Sequence, residues 1–116
     1  MAVEYFGEKI FLKEIKDSQQ VWVARSTHKN IHVMEFDRTG VSLPVWSNSM
    51  RAADYLVNAR LVGPKYEPYS VALETFTKAW LSDKAMAITE LLINPDGKSS
   101  RMLALYPEEF VDSQVS

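Results

Sequence analysis

The strongest constraint on the fold is a strand pattern that runs directly into a helix pattern in residues 41–60, VSLPVWSNSMRAADYLVNAR. The first residues alternate valine and leucine with serine and proline, which is typical of a β-strand. Asn48 is a good helix N-cap, because its side-chain oxygen can accept a hydrogen bond from a free amide of the first turn. A strand that turns straight into a helix fixes how that helix lies on the sheet, and Trp46 is large enough to fill the joint.

The other segments mix helix and strand patterns without strict alternation. Helices are predicted over residues 4–16, 48–60, 73–81 and 107–111. Strands are predicted over residues 20–26, 31–37, 41–46, 66–71, 85–93 and 101–106. This order predicts a single α+β domain over residues 1–116. We expect a mostly antiparallel mixed sheet of about five to six strands, with about three to four helices.

Two boundaries have alternatives. Gly7 weakens the first turn of the first helix, so residues 1–10 form either the start of that helix or a loose arm. Residues 85–93 either continue the preceding helix or form a strand. We prefer the strand, because the apolar run ends at the turn sequence Asn94-Pro95-Asp96-Gly97, in which proline presets φ and glycine tolerates a left-handed conformation.

The connections between strands also predict their pairing. The first three strands are joined by short turns, which favours an antiparallel meander. Proline has no N–H to donate to a ladder, so Pro44 predicts an edge or a bulge, and Pro68 predicts an edge strand.

Composition excludes several classes of function. There is no cysteine, which removes disulfides, thiol catalysis and thiolate metal sites. The formal net charge is −2 with the basic residues scattered, whereas nucleic-acid binding usually needs a basic face. No apolar run is long enough to span a bilayer, and the first ten residues lack the pattern of a signal peptide. We expect a soluble, cytoplasmic protein that binds neither nucleic acid nor membrane.

Several short motifs follow one another in a characteristic order. They are Gln20-Val21-Trp22-Val23, Leu43-Pro44-Val45-Trp46, Tyr66-Glu67-Pro68, Phe76 with Trp80-Leu81, Asn94-Pro95-Asp96-Gly97 and Pro107-Glu108-Glu109-Phe110. In order and spacing, over residues 11–111, the chain resembles a bacterial family known only as domain of unknown function 2750. The resemblance implies a bacterial protein of that family's fold, and it brings no catalytic residues with it.

No motif predicts a metal, a cofactor or a catalytic group. His28 and His32 lie across a predicted turn and strand, so they would not converge on a metal. Glu108 and Glu109 are adjacent at the start of a helix, where stabilisation of the helix dipole is a better interpretation than an acid–base pair. Serines occur without a nucleophile-elbow motif, and glycines are too dispersed for a phosphate loop.

The aromatic residues favour an interior over a ligand pocket, because their placement is periodic. The predicted core aromatics are Trp22, Phe36, Trp46, Tyr55, Phe76 and Trp80. Two further tyrosines flank Pro68 in a segment expected to be exposed, and such an edge can form a partner surface. The candidate binding residues, chosen there and at predicted element ends, are Arg51, Asp54, Tyr66, Glu67, Tyr69 and Arg101.

These patterns favour a non-catalytic binding or interaction module that contacts an unknown protein partner or a second copy of itself. A homodimer through a free strand edge is one form of this hypothesis. The first alternative is a small-ligand receptor or enzyme whose site forms only in three dimensions. The second is a neutraliser of a toxin or phage protein, which fits the size and mild acidity but has no sequence signature.

Overall fold

The computed structural model describes residues 2–27, 30–37, 40–59, 66–82, 88–98 and 103–115. The helices are α1 (Ala2–Ser18), α2 (Ser49–Asn58), α3 (Leu73–Thr75), which continues as a π-helix (Phe76–Trp80), and α4 (Pro107–Val115). The strands are β1 (Gln20–Ser26), β2 (Met34–Asp37), β3 (Gly40–Val45), β4 (Tyr66–Ala72), β5 (Ile88–Ile93) and β6 (Leu103–Leu105). The predicted α+β class is confirmed.

The strands form two sheets. In the larger sheet the order is β2-β3-β5-β6, with β3 and β5 parallel and the outer pairs antiparallel. The smaller sheet is the antiparallel β1–β4 ribbon. Trp22 and Trp46 join the two sheets, since each backbone N–H donates to the other's carbonyl at 2.9 and 2.8 Å.

The predicted antiparallel meander of the first three strands is formed in part, since its second and third strands pair antiparallel as β2 and β3. Beyond the turn, Arg25 pairs with Ile31 in an isolated bridge, and the regular strand β2 begins only at Met34. The main ladder of β1 lies on its other edge, where all seven of its residues pair with β4. The lengths of the turns between neighbouring strands do not indicate a partner so distant in the sequence.

The two prolines in strands occupy different positions. Pro44 lies in the inner strand β3, and the predicted edge or bulge does not occur at this residue. The N–H of Trp46 faces β1, so the nitrogen of Pro44, two residues earlier, faces the same side. On that side of β3 the pairing with β2 extends only as far as Ser42, so the missing N–H of Pro44 breaks no hydrogen bond between strands.

Pro68 lies in a strand with a free side, as predicted. It stands opposite Ala24, whose carbonyl faces away from β4 and accepts from the His32 amide at 2.8 Å. Pro68 is therefore in a pair that exchanges no hydrogen bonds across the ribbon, and its nitrogen faces the outer edge of β4. No strand in the described part of the chain pairs with that edge.

The β1–β4 ribbon separates two packed clusters. One face, which includes Val23 and Val71, packs into the larger core with α1, β3, β5 and α4. The other face, which includes Ala24, packs against Trp46 and α2. Helix α2 buries Ala52, Tyr55 and Leu56 in this second cluster, on the face that its periodicity predicts.

The predicted joint between strand and helix is built around Trp46, which has no exposed surface. Its indole Nε1–H donates to Pro95 O at 2.8 Å, which holds the turn at residues 94–97 against the joint. The predicted N-cap is confirmed, because Asn48 Oδ1 accepts from the Arg51 amide at 2.9 Å. At the other end of α2, Asn58 Nδ2 donates to Asp96 O at 2.7 Å.

The remaining boundaries follow the sequence closely. The preferred strand is present as β5 and has β6 as its antiparallel hairpin partner. Residues 85–87 and 101–102 of the two predicted strands lie outside the described residues. Helix α1 begins at Ala2, and a Cβ added to Gly7 would lie 2.9 Å from Leu103 Cδ1, so this glycine permits close packing of α1 on β6. No helix in the described ranges is both long and apolar enough to cross a bilayer.

Candidate functional site

A polar cluster surrounds Ser47, which is 2% exposed at the joint. The Ser47 hydroxyl donates to Glu14 Oε1 and accepts from Asn94 Nδ2 at 3.1 Å. The Ser47 amide donates to Asn94 Oδ1 at 2.9 Å. Arg51 Nε lies 3.1 Å from the same Glu14 oxygen, so the cluster joins α1, α2 and the turn after β5.

The charged groups of this cluster, Glu14 and Arg51, hold the structure together. Burial alone would raise the pKa of Glu14, but hydrogen bonds from Arg51, Ser47 and Asn48 and the Arg51 charge outweigh it, so the pKa lies below its ordinary value. A carboxylate with a lowered pKa is a weak general base near neutral pH, and the serine beside it is enclosed. The cluster therefore fixes the position of α1 against the joint and presents no accessible nucleophile.

A second cluster surrounds His32, which is half-buried between two tyrosines. Its Nε2 lies 3.1 Å from Tyr55 Oη, and its ring meets the Tyr66 ring edge-on with centroids 5.4 Å apart. Burial lowers the pKa of His32 and raises the pKa of Tyr55, so both groups are neutral near pH 7. Tyr55 also packs on Trp46 at 4.9 Å, which makes this cluster the outer part of the core around the joint.

The candidate binding residues within the described ranges do not converge on one site. Arg51 binds Glu14, and Asp54 is exposed on α2. Tyr66 faces α2 with His32, whereas Glu67 and Tyr69 lie on the opposite face of the β1–β4 ribbon. Arg101 and His28 lie outside the described residues.

Tyr69 has a cationic neighbour of its own. The guanidinium carbon of Arg25 lies 3.9 Å from the Tyr69 ring centroid, a cation–π contact. Arg25 Nε is buried and has no hydrogen-bond acceptor within the described residues. The stacked ring supplies the main favourable contact to this part of the guanidinium.

The predicted core aromatics differ in burial. Trp46, Tyr55 and Phe76 are buried, and Trp22 and Trp80 are partly buried against the two clusters. The side chain of Phe36 lies outside the described part of the structure.

A groove lies between the π-helix and α4. It has a volume of about 380 Å³ and is lined by Thr77, Leu81, Ser82, Pro107, Glu108, Val111 and Asp112. We call it the π–α4 groove. The two elements that form it are held together by Phe76 and Phe110, whose rings meet edge-on at 5.5 Å.

The walls of the π–α4 groove differ in character. On α4, Glu108 and Asp112 are four residues apart, so they share a helix face. The adjacent Glu109 has another role, since its Oε1 accepts from the Tyr106 amide at 3.0 Å and caps the helix. The two adjacent glutamates therefore have different roles. Glu109 caps the helix, and Glu108 lines the groove.

The opposite wall comes from a π-helical turn, in which the Leu81 amide donates to Phe76 O at 3.1 Å. Turns of this kind are rare and are frequently found at functional sites. Sequence reasoning missed the π–α4 groove, because helical propensity does not distinguish an α-turn from a π-turn. The available signal was the acidic pair at 108 and 112 on either side of Val111.

No group of three or more histidine, aspartate or glutamate residues within the described ranges is arranged to hold a metal ion.

Comparison with known protein families shows a match over most of the chain. A family model described as "Protein of unknown function (DUF2750)" matches residues 9–113. No curated protein matches the chain. The family match confirms the resemblance that the motif order indicates.

Proposed function

The chain belongs to the DUF2750 family, and from that premise we propose that it is a non-catalytic binding module that holds a segment of a partner protein in the π–α4 groove. The observation that carries this proposal is the groove itself, with a volume of about 380 Å³. That volume lies within the range of about 300–1,000 Å³ that is usual for ligand sites.

The composition of the groove supports a protein partner. Leu81, Pro107 and Val111 give it an apolar floor, and hydroxyl and carboxylate groups stand around it. An apolar centre with a polar rim is the usual arrangement of an interface that forms and dissociates.

The state of the other polar side chains supports binding over catalysis. The hydroxyl of Ser47 and the imidazole of His32 do not form a nucleophile–base pair, since each is hydrogen-bonded within a different packed cluster. Catalysis by such groups would need them within hydrogen-bond reach of one another or of a common reactant.

A homodimer through a strand edge is the weaker form of the proposal. The outer edge of β4 is the longest free edge among the described strands, and the nitrogen of Pro68 faces it. Proline removes a donor from any ladder added there, which is a common protection against edge-to-edge pairing. We therefore place the partner in the π–α4 groove.

Selection of a random peptide library displayed on phage against the intact protein tests the proposal. We expect enriched peptides that bind with dissociation constants of about 1–100 μM. Val111→Trp fills the groove with an indole and should weaken their binding at least about tenfold, because the peptide loses its apolar floor. Isothermal titration calorimetry with synthetic peptides measures both values.

Val57→Trp is the matched control, because Val57 is 61% exposed on α2, away from the groove. It should leave peptide binding unchanged. If Val111→Trp does not fold, as judged by circular dichroism, Asp112→Trp places the same ring at an exposed position in the same wall. The proposal would be contradicted if no peptides were enriched. It would also be contradicted if the enriched peptides bound the Val111→Trp and Val57→Trp variants with equal affinity.

A further inference from the structure

The polar groups around the π–α4 groove all accept hydrogen bonds. Thr77 Oγ1 donates its single proton to Leu73 O or Glu74 O, both at 3.1 Å. Ser82 Oγ donates to Lys78 O at 2.5 Å. A hydroxyl that has donated its proton to the backbone offers only lone pairs to a ligand.

The two carboxylates add negative charge to the same rim. Glu108 and Asp112 are exposed, and no described residue forms an ion pair or hydrogen bond with either side chain. Lys78, the lysine of the π-helix, does not neutralise these two carboxylates, because it is paired with Glu74 at 3.1 Å. Carboxylates accept hydrogen bonds, so the described residues of the rim offer a ligand four acceptor side chains and no side-chain donor.

From this arrangement we infer that the segment held in the groove inserts a cationic side chain, a lysine or an arginine. Its apolar stem lies along Leu81 and Val111, and its charged end reaches Glu108 and Asp112. Long cationic side chains commonly bury the stem on apolar surface and keep the charge at a polar rim. This inference rests on the proposed function and specifies the chemistry of the bound segment.

The test uses n-butylammonium chloride as a mimic of the lysine side chain and 1-butanol as its neutral isostere. Each is titrated into the ¹⁵N-labelled protein at constant ionic strength, and backbone amide shifts are followed by NMR. We expect saturable shifts at Leu81, Val111 and Asp112 with butylammonium at millimolar concentrations and much smaller shifts with butanol. Added salt should weaken the ammonium binding, because it screens exposed charges.

Isosteric variants locate the charge. The double variant Glu108→Gln/Asp112→Asn should weaken butylammonium binding by about fivefold, since it removes both charges and keeps the shape of the wall. The control Glu8→Gln/Asp17→Asn changes the net charge equally on α1, outside the groove lining, and should leave the affinity unchanged.

The outcomes separate this inference from the proposed function. Equal affinities for butanol and butylammonium would contradict the inference that the groove takes a cationic side chain. An equal loss of butylammonium affinity in the control double variant would also contradict it. In that case, library peptides whose binding is weakened by Val111→Trp would still support the proposed binding module. Absence of any saturable shift up to about 100 mM butylammonium would also overturn the inference, because it leaves the rim without affinity for a cation.

Discussion

Replacement of Trp46 by alanine should lower the free energy of unfolding by about 3–5 kcal/mol, the largest effect that we expect from a single side chain. The indole has no exposed surface and packs on Tyr55 with ring centroids 4.9 Å apart. Its removal leaves a cavity where β3, α2 and the turn at residues 94–97 meet. The total stability of a domain of this size is about 5–15 kcal/mol, so this loss is a large fraction of the free energy of unfolding.

Trp46→Phe separates the hydrogen bond from the bulk of the ring. It keeps most of the apolar volume but leaves Pro95 O without the indole donor at 2.8 Å. A buried acceptor without a partner costs about 1–3 kcal/mol. Urea unfolding followed by circular dichroism measures both variants.

Trp80→Phe is the matched control, because Trp80 is partly buried and the described residues give its indole no hydrogen-bond acceptor. We expect a loss of less than about 1 kcal/mol for this change. Equal losses for the two phenylalanine variants would show that the bond to Pro95 contributes nothing to the joint.

The second large effect is expected for Gly97→Ala, in the turn that the indole holds. Gly97 has φ +78°, and a Cβ added there would lie 2.9 Å from Tyr55 O and 2.9 Å from Asn58 Cβ. A left-handed conformation costs an alanine about 1–2 kcal/mol. Displacement of the turn from the end of α2 adds to this, and we expect a total loss of about 2–4 kcal/mol in urea unfolding.

Gly7→Ala is the control for this change, since a new Cβ at Gly7 would meet, among the described residues, only the end of the Leu103 side chain within 4 Å. Leu103 can move, and alanine favours a helix over glycine by about 1 kcal/mol, so the stability should change by no more than about 1 kcal/mol. A Gly97 variant as stable as the Gly7 variant would contradict the close packing of the turn on α2.

Local sequence patterns were sufficient to predict most helices and strands and the residues that cap the helices. Asn48, Pro107 and the turn at residues 94–97 each act through neighbours within a few positions, so their positions at helix ends and in the turn could be predicted. The pairing of strands could be predicted only in part. The antiparallel pairs β2–β3 and β5–β6 follow from local turns, whereas β1–β4 and the parallel pair β3–β5 do not. An alternating pattern shows which residues share a face but not which strand lies alongside, and β1 pairs with β4 rather than with the next strand.

The candidate site was harder to predict for the same reason. Arg51 was a candidate ligand residue because it stands near the start of a helix, but it pairs with Glu14 from α1. The π–α4 groove depends on two segments that are distant in the sequence. Its shape also depends on a π-turn at Phe76–Trp80, for which the sequence contains no specific pattern.

The aromatic side chains around Trp46 form an interior, so this indole belongs to the core and does not line a binding cleft. Hydrogen–deuterium exchange of the Trp46 indole N–H, followed by NMR and assigned with the Trp46→Phe variant, tests it most directly. The buried bond to Pro95 predicts exchange only through global unfolding, with a free energy equal to that from urea. Exchange at the rate of a solvent-exposed indole would place Trp46 at an open cleft and contradict the claim.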